Sequence, residues 1–123
     1  MITYYTKEGR FKVHRPFKIP YYKLHRENGP AFTCMDFKSW YMNGEKHRLD
    51  GPAVTDNLGT KEWWVNGERH RLDGPAIEYY NGKASWLINN KKLNTKKVET
   101  WIKNNNINLK TKQHQALFML KFG

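Results

Sequence analysis

The chain reads as a mainly β (α+β) domain: an antiparallel β-meander of stacked hairpin repeats with two short C-terminal helices packed on it. Three observations predict this. A block of eight residues occurs three times, short aromatic and aliphatic runs between the blocks end in turn-forming pairs, and after residue 94 the apolar spacing changes from that of strands to that of helices.

The block is Leu24-His25-Arg26-Glu27-Asn28-Gly29-Pro30-Ala31. It returns as Lys46-His47-Arg48-Leu49-Asp50-Gly51-Pro52-Ala53 and as Arg69-His70-Arg71-Leu72-Asp73-Gly74-Pro75-Ala76, with histidine spacings of 22 and 23. A tryptophan follows each copy, at Trp40, Trp63 and Trp86. The runs Trp40-Tyr41-Met42, Trp63-Trp64-Val65 and Trp86-Leu87-Ile88 close on Asn43-Gly44, Asn66-Gly67 and Asn89-Asn90, and Tyr79-Tyr80-Asn81-Gly82 adds a further turn. Asn and Gly tolerate the positive φ that both central residues of a type I′ turn require, so these pairs predict tight hairpins. The Gly-Pro pairs re-aim the chain where ladder bonding lapses.

Alternation along the strands places Trp40 with Met42, Trp63 with Val65 and Trp86 with Ile88 on one face, the predicted core. Ser39, Tyr41, Glu62, Trp64, Ser85 and Leu87 fall on the other face, expected to meet solvent or a partner. The N-terminal segment predicts a leading hairpin around Glu8-Gly9, with Pro16 and Pro20 suited to an irregular or edge conformation. Beyond the blocks, Val98, Trp101 and Ile102 follow a cap at Asn94 or Thr95, and Ala116, Leu117 and Leu120 follow Thr111. These two helices are expected to lie as a lid over the tryptophan face. The whole reads as one domain of 123 residues: a basic aromatic segment 1–23, hairpin repeats 24–93 and a helical segment 94–123.

The recurrent His-Arg-x-Asp-Gly-Pro-Ala pattern resembles MORN-like repeats, and more closely the tandem repeats of this type in small proteins of large DNA phages and viruses. The likeness covers residues 24–93. It departs from the strict MORN pattern of Tyr-x-Gly-x-Trp with regular glycines, and Asn28 stands where Asp50 and Asp73 stand in the other copies. The resemblance implies a ribbon of stacked hairpins used for association, with no reaction attached to it.

Composition excludes several classes. Cys34 is the only cysteine, so no disulfide can form within the chain, and the first residues lack the layout of a signal peptide; a reducing, cytoplasmic setting is expected, the host cytoplasm if the chain is phage-encoded. The longest apolar stretch, Ala116 to Leu120, is far too short to span a bilayer. No P-loop, nucleophile elbow, Cys-x-x-Cys or His-Glu-x-x-His occurs. Neither a catalytic residue, a metal site nor a cofactor is therefore assigned.

The block histidines and aspartates are the natural candidates for chemistry. Equivalent positions in successive hairpins should lie two strands, roughly 9–10 Å, apart, too far for one ion. A structural role is expected instead, with Asp50 and Asp73 accepting a backbone N–H of the turn while His and Arg lie across neighbouring rings. The alternative is that Arg26, Arg48 and Arg71 form a row matched to a repetitive anion, which Glu27, Asp50 and Asp73 would partly neutralise.

The net charge of +11 is unevenly distributed. Residues 1–23 carry six Lys/Arg against Glu8, residues 95–123 six Lys against Glu99, and the 71 residues between them ten basic against nine acidic side chains. The N-terminal segment interleaves Lys7, Arg10, Lys12, Arg15 and Lys18 with Tyr4, Tyr5, Phe11, Phe17, Tyr21 and Tyr22, cations for phosphates and rings for bases. Lys96, Lys97, Lys103, Lys110 and Lys112 supply the second basic flank. Lys96 and Lys97 stand in a first helical turn, where the helix dipole prefers acids.

These ten residues predict a nucleic acid, or a host complex that handles nucleic acid, as the partner of a non-enzymatic binding module. The alternative is a protein–protein inhibitor or virion component that uses a ribbon surface at Tyr41, Trp64 and Leu87. A helix-turn-helix with Lys112, Gln113, His114 and Gln115 opening the recognition helix has too long a connection and no third helix. The open ends of such a ribbon also allow a homodimer through strand pairing.

Overall fold

In the computed structural model, which describes residues 1–14 and 18–123, the chain opens with a hairpin of β1 (Ile2–Thr6) and β2 (Gly9–Val13) and a single 3-10 turn at Tyr21–Lys23. It then makes hairpins in pairs. The first copy gives β3 (Phe32–Cys34), β4 (Phe37–Ser39), β5 (Tyr41–Met42) and β6 (Glu45–Lys46). The second gives β7 (Val54–Thr55), β8 (Lys61–Glu62), β9 (Trp64–Val65) and β10 (Glu68–Arg69). The third gives β11 (Ile77–Glu78), β12 (Ala84–Ser85), β13 (Leu87–Ile88) and β14 (Lys91–Lys92), and two helices follow, α1 (Thr95–Asn104) and α2 (Lys112–Phe122).

One hairpin of each pair joins an antiparallel sheet of eight strands in the order β12-β11-β8-β7-β4-β3-β1-β2. The other stands in a second row of two-stranded ribbons, β5-β6, β9-β10 and β13-β14. Their turns have the chemistry read from the sequence. Asn43 and Gly44 have φ of 51° and 80°, Asn66 and Gly67 50° and 79°, Asn89 and Asn90 46° and 68°, positive at both central positions as type I′ demands. The Tyr79–Gly82 turn is different, because only Gly82 has positive φ there, and Tyr79 N–H reaches the Lys83 carbonyl at 2.9 Å across a wider loop.

Neighbouring ribbons are stitched by recurrent main-chain bonds. Gly44 N–H donates to Leu24 O at 2.8 Å, Gly67 N–H to Lys46 O at 2.9 Å and Asn90 N–H to Arg69 O at 2.8 Å. The block side chains complete each joint. Nδ1 of His25, His47 and His70 accepts the backbone N–H of Asn43, Asn66 and Asn89, each at 3.0 Å, so each ring is tied to the turn of the next ribbon. The histidines therefore hold turns, a role the sequence reading did not assign to them.

The arginines do lie on rings. Arg26 stacks 4.0 Å from the Tyr5 centroid, Arg48 4.0 Å from Trp40 and Arg71 3.7 Å from Trp63. Each also donates to its own block's proline carbonyl, at 3.2, 3.1 and 3.0 Å. Asp50 and Asp73 accept from the arginine Nε at 2.8 and 2.7 Å, so the expected bond to a turn N–H is replaced by a clamp on the guanidinium. A Cβ on Gly29, Gly51 or Gly74 would stand 2.7, 2.9 or 2.7 Å from the arginine Cζ. Glycine leaves that space to the guanidinium, which a larger residue would displace. Ala31, Ala53 and Ala76 are fully buried, and their carbonyls accept from Tyr5, Trp40 and Trp63 N–H, each at 2.7 Å.

These contacts show where the array starts and stops. Tyr5 takes the place of a tryptophan before the first block, receiving His25 N–H at its carbonyl as Trp40 receives His47 N–H. At the other end Leu93 N–H donates to Trp86 O at 2.8 Å, so Leu93 and Asn94 occupy the places of a fourth His and Arg. Asn94 instead accepts Lys97 N–H at 2.9 Å and caps α1, and Phe118 covers Trp86 edge-on at 5.6 Å, where a guanidinium covers the other indoles.

The predicted core face is correct only for the third copy. Trp86 and Ile88 are buried with Leu93, Val98, Leu109 and Phe118, whereas Trp40, Met42, Trp63 and Val65 are half-buried. On the face expected to be solvated, Ser39, Tyr41, Ser85 and Leu87 are buried. The cause is the break at each tryptophan, which belongs to neither strand: the chain bends there, and residues beside the indole pack against the block. Tyr41 thus joins Ala31 and Phe32, and Leu87 joins Ala76 and Ile77.

The helical lid is also partial. Of the predicted tryptophan face, only Trp86 and Ile88 enter the buried cluster that α1 and α2 form among the described residues. Val98, Trp101 and Ile102 pack inward as expected, but α2 turns Phe118, Met119 and Phe122 to the core, while Ala116, Leu117 and Leu120 stay exposed. Five successive apolar residues leave the helical face undecided. The larger rings win it, through Trp101, Phe118 and Phe122 at 5.5 to 6.2 Å from one another.

Candidate nucleic-acid interface

Strand order separates the two basic flanks. The helices pack on Trp86 and Ile88, just past β12 in the chain, and β12 and β2 are the two edges of the eight-stranded sheet. Seven strand spacings put roughly 30 Å between them. Lys7, Arg10, Lys12 and Lys18 lie at the first end, and Lys96, Lys97, Lys103, Lys110 and Lys112 at the second, all exposed. Arg15 and Phe17 lie outside the described residues. The nine described cations therefore lie at two ends and do not form one patch.

At the N-terminal end the register pairs Arg10 with Tyr5 and Lys12 with Thr3, so both cations occupy one face of the edge strand. Phe11 takes the other face and stacks on Tyr4 with centroids 5.1 Å apart. Beside the β1–β2 turn lies a hollow of about 270 Å³ lined by Lys7, Glu8, Tyr22, Lys23 and Asn43. The 3-10 turn presents Tyr22 with three-quarters of its surface exposed, 75%, and Lys23 Nζ stands 5.7 Å from the ring centroid.

Glu8 is the only acid in this hollow. The Thr6 hydroxyl donates to its carboxylate at 2.7 Å, and this bond, then its backbone contact and the charges of Lys23 and Lys7, hold its pKa below the ordinary value. None of the lysines in the described residues forms an ion pair, whereas Arg48, Arg69 and Arg71 are paired with Asp50, Glu62, Asp73 and Glu78. The block arginines are thereby committed to the fold. The exposed lysines and Arg10 carry uncompensated charge.

Sequence reasoning reached Lys7 and Tyr22 but missed Lys23 and Asn43 as lining residues. Asn43 reaches the hollow through the stitching of the first type I′ turn to the chain at Leu24, and Gly44 approaches so closely that a Cβ would stand 2.2 Å from the Tyr22 carbonyl oxygen. No local pattern signals a contact between elements that far apart in the chain.

The alternative protein-binding surface does not form. Tyr41 and Leu87 are 8% and 7% exposed within two separate clusters. Trp64 is half-buried between Lys46 and Arg69, 4.6 and 4.7 Å from its ring, and donates Nε1–H to Glu62 at 3.1 Å. The helix-turn-helix reading fails at its reading head, since His114 Nδ1 accepts Asn108 N–H at 2.6 Å and Gln115 Nε2 donates to Leu109 O at 2.9 Å. Among the described residues no group of three or more His, Cys, Asp or Glu could hold a metal ion, and no helix is long and apolar enough to cross a membrane.

The architecture defines a class, a two-row ribbon of stacked β-hairpins closed by a helical cap. No protein family matches this chain, and comparisons with characterised proteins and with solved structures give no match either.

Proposed function

We propose that the chain is a non-enzymatic module, of the phage or viral repeat type its blocks resemble, that binds nucleic acid at its N-terminal end. Lys7, Arg10, Lys12, Lys18 and Lys23 meet phosphates, and Tyr22 offers a ring on which a base stacks. The observation that carries this reading is the hollow that an exposed tyrosine ring lines together with two lysines. Rings and cations placed so are how sequence-tolerant single-strand binders work.

Titration of a labelled oligothymidylate and a mixed-sequence RNA, followed by anisotropy at about 50 and 200 mM salt, tests it. With five phosphates contacted, affinity should fall roughly 130-fold over that range for a single strand. Tyr22→Ala should weaken binding about five-fold or more, as loss of one stacked base predicts. Absence of binding to either polymer at low salt refutes the proposal.

A further inference from the structure

Apolar residues occupy both sides of α2. Its inner side buries Phe118 completely, yet its outer side carries Leu117 and Leu120, exposed at 46% and 84%. A surface helix ordinarily shows one apolar stripe against a polar remainder. Packing within this chain therefore leaves the outer leucines unexplained. They border a concave groove of about 470 Å³ whose other walls include Trp101, Ile107, His114 and Lys121.

The groove is held in shape before any partner arrives. Its Trp101 wall stacks on Phe118 at 6.2 Å and meets Phe122 edge-on at 5.5 Å. His114 is fixed by the Asn108 N–H, and the Asn105 side chain donates to Trp101 O at 2.8 Å. A wall of this kind demands little ordering on binding. Lys121 lines the groove and no acid does; the segment that builds it, residues 95–123, holds six lysines and one acid, Glu99, and none of those lysines is ion-paired among the described residues.

We infer that this groove docks an acidic amphipathic helix of a partner protein, with apolar side chains seated between Leu117, Leu120 and Trp101 and carboxylates facing the surrounding lysines. Charge complementarity selects this occupant. A second copy of the chain would bring the same excess of lysines and be repelled, and a nucleic acid would satisfy the lysines but leave the leucines without an apolar counterpart. Helix-in-groove docking reads apolar anchors at i, i+3 or i+4 and i+7, which suits two leucines three residues apart on α2. The site is independent of the N-terminal hollow and stands or falls separately from it.

The test uses a fluorescein-labelled peptide of about 15 residues, long enough to form a helix, with leucines on one stripe and glutamates and alanines elsewhere. Its control has the same composition with the leucines spread around the helix. The full chain should bind the striped peptide at least ten-fold more tightly than the control. Leu120→Glu, at a position that contributes nothing to the core, should abolish that difference while oligonucleotide binding is unchanged; Tyr22→Ala should do the reverse. Equal binding of both peptides, or an unaltered difference in Leu120→Glu, overturns the inference. So does sedimentation showing a dimer that Leu120→Glu returns to monomer, since the groove would then be a contact between copies.

Discussion

Replacing Arg71 with alanine measures the structural role assigned to the block arginines. The side chain is 16% exposed and does four things: it stacks 3.7 Å above Trp63 and bonds Asp73 at 2.7 Å, Glu78 at 2.8 Å and the Pro75 carbonyl at 3.0 Å. A largely desolvated cation–π contact is worth about 1–1.5 kcal/mol, and a half-buried carbonyl left without its donor costs about 1 kcal/mol. The two carboxylates are half-exposed, so each ion pair adds no more than about 0.5 kcal/mol after screening. The expected loss is about 3 kcal/mol. Arg26→Ala removes only the Tyr5 stack and the Pro30 bond, because Asn28 makes no clamp, and should cost about 2 kcal/mol. Urea unfolding at pH 7 reads the difference: at a slope of about 1.5 kcal/mol per M, the midpoint should fall about 2 M for Arg71→Ala. A loss under about 0.5 kcal/mol, within the scatter of ordinary surface substitutions, would show that the arginine row faces solvent for another purpose and would restore the reading of Arg26, Arg48 and Arg71 as ligand contacts.

Gly74→Ala places a Cβ 2.7 Å from Arg71 Cζ and should displace the guanidinium, destabilising by about 1–3 kcal/mol; in the double variant with Arg71→Ala the glycine change should cost almost nothing, and full additivity in urea unfolding refutes the shared-space explanation. Burial holds the pKa of His70 below its ordinary 6.5, against a smaller opposing pull from Glu68. The unfolded chain therefore takes up the proton first, so this contribution is fully present above pH 6.5 and is lost as pH falls toward the depressed folded value. Urea midpoints measured from pH 7.5 down to 5.5 should decline more steeply in the natural chain than in His70→Asn, which keeps an acceptor for Asn89 N–H without titrating; parallel declines exclude the effect.

Much of this architecture can be read from letters, and what escapes has identifiable causes. Asn-Gly and Asn-Asn announce their turns because few residues tolerate positive φ, and Asn94 and Thr111 announce their helices because their side chains accept Lys97 and His114 N–H. Which side of a strand is inside proved less legible. Alternation assumes an unbroken strand, and the bend at each tryptophan lets Tyr41 and Leu87 turn inward while Trp40 and Trp63 are covered by arginines. The end copies are hidden for a different reason. Tyr5 and Leu93 keep the main-chain bonds of the pattern but share none of its letters, and a main-chain bond leaves no trace in residue identity.

Of the interface, the sequence yields Lys7 and Tyr22 through local interleaving of rings and cations. Lys23 and Asn43 join them only because the first ribbon is stitched to the segment after the 3-10 turn. Whether the two basic flanks share a surface depends on strand order, which no count of charges contains.

Each joint in the ribbon involves one block and its immediate neighbour, and the caps at Tyr5 and at Leu93-Asn94 meet only the copy next to them. The assembly is therefore extensible in principle: inserting or removing one 22- or 23-residue unit would leave both terminal structures intact. Each such change would alter the separation between the hairpin-bearing end and the helix-bearing end by about 10 Å, two strand widths. Copy number thus sets the span between the two ends.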